Sequence, residues 1–214
     1  MRSAISVLFA PILAAMILVC ALIAAAHGND APEADERREV GLEWRSLAKG
    51  RTEFDVSDPA LLPKRLVLAI EQSGCRYKED ITELPVHFIN GKQHRFALVF
   101  CFDISSGSHQ VFDLWDLRKP QLVELPSIAR PSGFTTTDRP GVITWSKESA
   151  VFQAETGSDL LPSPRLRKTY RLDETRSQAT FVITRVEFRQ DILGEWVTIW
   201  DAPQWSVPVK PSAN

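Results

Sequence analysis

The chain has 214 residues, with 25 basic and 27 acidic side chains and a formal net charge of −2 at neutral pH. This near balance gives no support for a nucleic-acid-binding protein or for a protein that adheres to an anionic membrane surface. The length is enough for one domain with a substantial hydrophobic core.

The first residues are typical of a secretory signal peptide. Arg2 supplies the positive charge, residues 4–24 form an apolar run, and Ala24-Ala25-Ala26 fits a small-residue cleavage site. The run is also long enough for a retained membrane anchor, but its small-residue end favours cleavage. We therefore predict a signal peptide over residues 1–26 and a periplasmic or secreted protein without a stable membrane span after cleavage.

The rest of the chain divides into three predicted segments. Residues 27–39 are polar and acid-rich, which predicts a flexible leader. Residues 40–205 carry the pattern of a single folded domain, beginning with a strand that places Trp44 inward. Residues 206–214 form a predicted irregular tail.

Two successive hairpins are predicted in the central part of the domain. Asn90-Gly91 suits a two-residue turn, which would pair His87 with His94. A second loop of about three residues containing Gly107 would pair Phe102 with Phe112. We favour that register because a slip of one residue would place Asp113 on the face that carries the phenylalanines. The apolar run between the two turns predicts a central strand covered on both faces.

The pattern as a whole predicts a mainly β fold, an antiparallel meander, sandwich or open barrel. One short helix is expected near residues 63–73, where apolar residues recur at helical spacing between Pro63 and Gly74. Further strands are expected at residues 141–145, 150–154, 169–172, 179–190 and 195–200.

The two cysteines that remain after signal cleavage, Cys75 and Cys101, are expected to form a disulfide, as is usual in an exported protein. Since Cys75 follows the predicted helix, this bond would join the helix end to the central hairpin. A reactive thiol is the alternative, but it would need a reducing compartment or an activating base.

The few histidines suggest a metal site. If His87 and His94 face each other across the hairpin, their rings are close enough to share a metal. Cleavage after Ala26 would make His27 the N-terminal residue, and its α-amine and imidazole ring could together bind one copper ion. The chain resembles exported copper oxygenases only in this His27-Gly28 start. The alternative is that these histidines are ordinary polar residues, and no cofactor is expected.

Three other sets of residues are considered for chemistry or binding. Asp103 and Asp113 lie near each other in the predicted second hairpin and resemble a glycosidase carboxylate pair, although aspartates at strand ends usually cap turns. Trp196 and Trp200 are predicted to share one face, either in the core or as an open platform for a sugar or a protein. The third set is a basic run, for which a solvated strand face is the simplest interpretation and binding of an anionic polymer is the alternative: Arg165, Arg167, Lys168 and Arg171.

No sequence motif of a serine or cysteine nucleophile, a phosphate-binding loop or a dinucleotide site is present. The sequence therefore favours an exported, β-rich binding or interaction domain of the cell envelope without evident catalytic machinery, whose partner is an unknown envelope protein or glycan. The alternative is an envelope metal-binding protein or hydrolase that uses His87 and His94 with His27, or the Asp103/Asp113 pair.

Overall fold

The computed structural model describes residues 30–78, 81–91, 94–102, 107–129, 133–157, 164–173, 180–191 and 193–203. The predicted signal peptide, His27, Asp103 and the predicted tail lie outside these residues. The chain separates into two compact units, residues 1–43 and 44–214, and every strand described below lies in the second unit.

Antiparallel strands dominate the second unit, as predicted. The helices are α1 (Asp30–Ala48) and α2 (Lys64–Gln72), with a short 3-10 helix at Pro59–Leu61. The strands are β1 (Glu53–Val56), β2 (Val86–Asn90), β3 (Arg95–Phe102), β4 (Gly107–Asp113), β5 (Gln121–Leu122), β6 (Leu125–Ala129), β7 (Gly133–Thr137), β8 (Val142–Ser146), β9 (Val151–Thr156), β10 (Arg165–Asp173), β11 (Thr180–Arg189) and β12 (Val197–Asp201).

Helix α1 occupies residues for which the sequence pattern predicted a flexible leader and then a strand. The segment is rich in Ala, Glu and Arg, which are good helix formers. Glu33 accepts a hydrogen bond from Arg37 one turn later at 2.9 Å, a spacing that supports a helix. The inward position predicted for Trp44 is confirmed, since the side chain is 5% exposed, but a helix carries it and not a strand.

The first sheet has the strand order β1-β2-β3-β4-β5, with β3 at its centre. Side chains of β3 enter two different hydrophobic cores. Ala97 and Val99 pack with residues of both helices in the helix-side core. Phe96 and Leu98 point the other way, into the core between the two sheets. The prediction of a central strand covered on both faces is confirmed.

Both predicted hairpin registers are wrong. His87 pairs with Leu98, because Gly91 and His94 belong to the loop, where Gly91 N–H donates to His94 O at 2.9 Å. In the second hairpin, Gly107 is the first strand residue and pairs with Phe102.

The register of the second hairpin differs from the predicted one by an odd number of residues. Each side chain of β4 therefore points to the opposite face of the sheet from the one predicted. Phe112 enters the helix-side core, and Asp113 pairs with Phe96. The charge of Asp113 is tolerated there because it lies at the strand end, half-exposed, and its Oδ1 accepts the backbone N–H of Trp115 at 2.9 Å.

The predicted helix and disulfide are confirmed. Helix α2 starts after Pro63 and ends before Gly74, which has φ +74°, a conformation that glycine adopts without strain. Cys75 then bonds to Cys101 on β3, with an S–S distance of 2.00 Å. The link fixes the end of α2 to the face of the first sheet that the helix covers.

The second sheet has the order β12-β11-β10-β9-β8 and lies on the other side of the first. Residues of both sheets form the inter-sheet core, which includes Leu98 and Val111 from the first and Phe152 and Tyr170 from the second. The separate β6–β7 hairpin packs against β11. The resulting sandwich leaves one face of the second sheet on the outside.

Candidate functional site

The histidines of the predicted metal site are not brought together. His87 is opposite Leu98, and its Nδ1 lies 2.7 Å from Asp55 Oδ1 on the neighbouring strand. His94 is 4% exposed, and neither of its ring nitrogens has a hydrogen-bond partner among the described residues. His94 lies against aromatic rings instead, with centroid distances of 6.1 Å to Phe96 and 6.4 Å to Trp115.

His109 holds two elements together, although its position beside a predicted hairpin loop gives no signal for this contact. Its Nδ1 accepts the backbone N–H of Ile143 at 2.9 Å, so the ring proton resides on Nε2. Burial, together with the charge of His87, lowers the pKa of His109 to about 4. Within the described residues, no group of three or more His, Cys, Asp and Glu side chains is arranged to hold a metal ion.

The carboxylate pair cannot be assembled from the described residues, since Asp103 lies outside them. Its predicted partner, Asp113, is engaged in capping the turn that follows β4, where it accepts the N–H of Trp115. Asp113 therefore has a structural role of the kind that aspartates commonly play at strand ends.

The two tryptophans of the predicted platform point to opposite faces of the second sheet. Thr198 pairs with Glu187 and Trp200 pairs with Val186, with a bulge between them that leaves Ile199 without a partner. The extra residue turns Trp200 toward the inter-sheet core, where its ring lies 5.6 Å from that of Phe134. The prediction that Trp196 and Trp200 share one face is therefore wrong, because the bulge interrupts the alternation of side chains along the strand.

Trp196 lies on the outer face among arginines. The guanidinium carbons of Arg167 and Arg189 are 4.4 Å and 4.5 Å from the centre of its ring, a distance at which cation–π attraction is significant. Arg167 is also held by Glu187 through two hydrogen bonds of 2.8 Å and 3.0 Å, which raise the pKa of its guanidinium. These contacts fix the half-buried indole in one orientation.

Exposed apolar side chains lie close to Trp196 in the sequence. Leu193 is 93% exposed, Val197 58% and Ile199 40%. Val197 pairs with Phe188, so it lies on the opposite face of the strand from Trp196. We call these three residues and Trp196 the β12 patch. Strand β12 is the terminal strand of its sheet, and no other strand in the described part of the chain pairs with its outer side. The patch thus combines an open backbone edge with apolar side chains and a fixed indole.

A second pair of residues that could take part in a reaction lies inside the protein. Lys168 Nζ donates a hydrogen bond of 3.0 Å to Ser127 Oγ, and the two residues are 6% and 7% exposed. Desolvation lowers the pKa of Lys168. Lysine is almost never buried to this extent unless it is paired.

The sequence contains a signal for the inward position of this lysine, which differs from the solvated face predicted for the basic run. Every second residue from Leu166 to Leu172 belongs to the inner side of β10, and Lys168 is the one charged residue in that set. Strict alternation along a strand therefore predicts an inward lysine. Its serine partner comes from a distant strand and has no signal in the sequence.

The disulfide is compatible with an exported protein. Among the described residues, no helix has the length and apolar character needed to cross a membrane. Comparison with protein-family models, curated proteins and solved structures finds no match to this chain.

Proposed function

We propose that this protein is an exported interaction domain of the cell envelope, and that its β12 patch binds an extended segment of another envelope protein. The observation that carries the proposal is Trp196, an indole fixed by two guanidinium groups beside an open strand edge. Tryptophan and arginine are the residues most often found at the energetic centre of protein interfaces.

The open side of β12 favours an extended partner. An edge strand offers unpaired backbone groups, and a second chain can pair with them as an added strand. Such pairing would set the exposed Val197 and Ile199 against side chains of the partner and remove them from water. The bulge at Ile199 limits the pairing to a short segment, which favours a peptide over a whole sheet.

The charges beside the patch favour a partner segment that carries carboxylates. Arg185 lies on β11 next to the edge strand and is half-exposed, and Asp201 holds it with a hydrogen bond of 2.8 Å. Exposed pairs of this kind contribute little to stability and exchange partners readily. An acidic residue of the partner would therefore find an available guanidinium beside the patch.

Site-specific photocrosslinking in the native cells tests the proposal. A benzophenone amino acid at Leu193 is expected to give a discrete protein adduct, and peptide mapping should place the link in an extended, acidic segment. The control position is Leu61, which is 61% exposed but lies on the 3-10 helix, away from the second sheet.

Trp196→Ala should abolish the adduct, whereas Trp115→Ala should leave it unchanged, since Trp115 is 57% exposed but lies beside the first sheet. The same adduct from positions 193 and 61, or no adduct from 193, would contradict the proposal. Retention on cell-wall polysaccharide that depends on Trp196 would assign the patch to a glycan instead.

A further inference from the structure

A lysine and a serine face each other where the β6–β7 hairpin packs against the second sheet. Ser127 projects from β6 and Lys168 from β10, with 3.0 Å between Oγ and Nζ. We infer that Ser127 is an activated nucleophile that accepts acyl groups, with Lys168 as the base that takes its proton. This activity goes beyond the proposed interaction and uses different residues.

The surroundings of Lys168 favour a neutral amine. Its cross-strand neighbours on the same face are Ala154 on β9 and Val186 on β11, both buried and apolar. No carboxylate in the described part of the chain forms an ion pair with Lys168. A lysine ammonium in such a setting has lost its water without gaining a counter-charge, which favours deprotonation. A neutral amine can accept the hydroxyl proton of Ser127, as general-base lysines do.

The proposed reaction is acyl transfer from an ester. Ser127 Oγ attacks the carbonyl carbon while its proton passes to Lys168 Nζ, which gives a tetrahedral intermediate. The carbon–oxygen bond to the leaving alcohol then breaks, and Lys168 returns the proton to the departing oxygen. Water, deprotonated by the same amine, later attacks the acyl-serine, and the products are a carboxylic acid and regenerated Ser127.

Ser127 lies close to solvent. It pairs with Thr135 on β7, whose side chain shares the same face of the hairpin and is exposed. Phe134 lies on the same hairpin but pairs with Ile128, so it faces away from Ser127. An acyl group that reaches Ser127 would instead meet the apolar side chains beside Lys168, Ala154 and Val186. The chemical class that fits is therefore a small ester with an apolar acyl group.

Covalent labelling of the full exported chain tests the inference. A small aryl sulfonyl fluoride should form a sulfonate ester with Ser127 Oγ and release fluoride, with one label per molecule located at Ser127 by peptide mass spectrometry. p-Nitrophenyl acetate should be hydrolysed by the same residue. Ser127→Ala should abolish both, and Lys168→Met should slow labelling at least 100-fold. The rate should rise with pH through an apparent pKa below the usual lysine value.

Two controls separate activation from accessibility. Lys168→Arg replaces the amine with a guanidinium that stays protonated, so it removes the base and should lose reactivity together with Lys168→Met. Ser149→Ala changes a partly exposed serine that donates a hydrogen bond to Ser146 and has no lysine partner among the described residues, so this variant should label like the native protein. Thermal unfolding is recorded for each variant so that only folded proteins are compared. If Ser127 is not labelled between pH 6 and 10, or is labelled equally fast in a folded Lys168→Met protein, the inference is overturned.

Discussion

The imidazole of His109 connects the two sheets, because its Nδ1 accepts the backbone N–H of Ile143 at 2.9 Å. His109 lies on β4 of the first sheet and Ile143 on β8 of the second. The backbone supports the same junction, since His109 N–H donates to Gly141 O at 2.9 Å. The hydrogen bond to Nδ1 requires an unprotonated nitrogen, so this junction depends on the neutral form of the ring.

We therefore expect the stability of the fold to fall in acid. The pKa of His109 is about 4 in the folded protein, below the ordinary histidine value of 6.5. Between these values the unfolded chain binds more protons, so unfolding becomes easier as the pH falls from 6.5 toward 4. The difference corresponds to a loss of about 3 kcal/mol at most, at roughly 1.4 kcal/mol per pKa unit.

Urea unfolding at pH 7.0 and pH 4.5 measures this loss. His109→Gln retains an acceptor for the N–H of Ile143 but does not titrate, so its stability should change less across the same interval. An equal loss in the native protein and the variant would show that other groups cause the acid sensitivity.

The disulfide should contribute strongly to stability. Cys75 and Cys101 are separated by 26 residues along the chain, and closing a loop of that size stabilises by about 3–4 kcal/mol. We expect the Cys75→Ala/Cys101→Ala double variant to lose about this amount in urea unfolding. Addition of a reductant should lower the midpoint of the native protein and leave that of the variant unchanged. If the reductant shifts both midpoints equally, its effect is not due to this bond.

The features that the sequence predicted correctly are those that depend on residue type and local alternation. Cys75 and Cys101 are the two cysteines outside the predicted signal peptide, and Pro63 and Gly74 bound the helix. The apolar run of β3 predicted its central position. Each of these signals lies within one short segment and needs no knowledge of which strands are neighbours.

The site was less predictable because it depends on loop lengths and bulges. The first hairpin closes at His94 and not at a two-residue turn, which separates His94 from His87. One bulge residue, Ile199, places Trp196 and Trp200 on opposite faces. The acidic composition of the α1 segment predicts flexibility, but its Ala, Glu and Arg residues also favour a helix, and the helix forms. The partner of Lys168 comes from a remote strand.

Gly107 should be intolerant of a side chain. A Cβ at this position would lie 1.9 Å from Cζ of Phe100, far inside van der Waals contact. Gly107→Ala should therefore destabilise the fold by about 1–3 kcal/mol, as overpacking does elsewhere. A double-mutant cycle with Phe100→Ala checks the cause, because removal of the ring should cancel most of the penalty. Additive effects of the two changes would show that the ring is not what restricts position 107.

Removal of the Tyr170 hydroxyl should not weaken the fold. Tyr170 is fully buried in the inter-sheet core, and its hydroxyl has no hydrogen-bond partner among the described residues. Burial raises the pKa of this phenol well above its usual value, so the group stays protonated. A buried, unpaired hydroxyl costs about 1–3 kcal/mol, and Tyr170→Phe should recover part of that cost as an increase in the free energy of unfolding.

Thr184→Val is the matched control for Tyr170→Phe. It also removes one hydroxyl from the second sheet, but this hydroxyl donates to Thr169 O at 3.1 Å. Loss of a formed hydrogen bond should lower stability by about 1 kcal/mol, so the two variants are expected to change the urea midpoint in opposite directions. A loss of 1 kcal/mol or more in Tyr170→Phe would contradict the prediction. It would mean that the Tyr170 hydroxyl forms a stabilising hydrogen bond within the inter-sheet core.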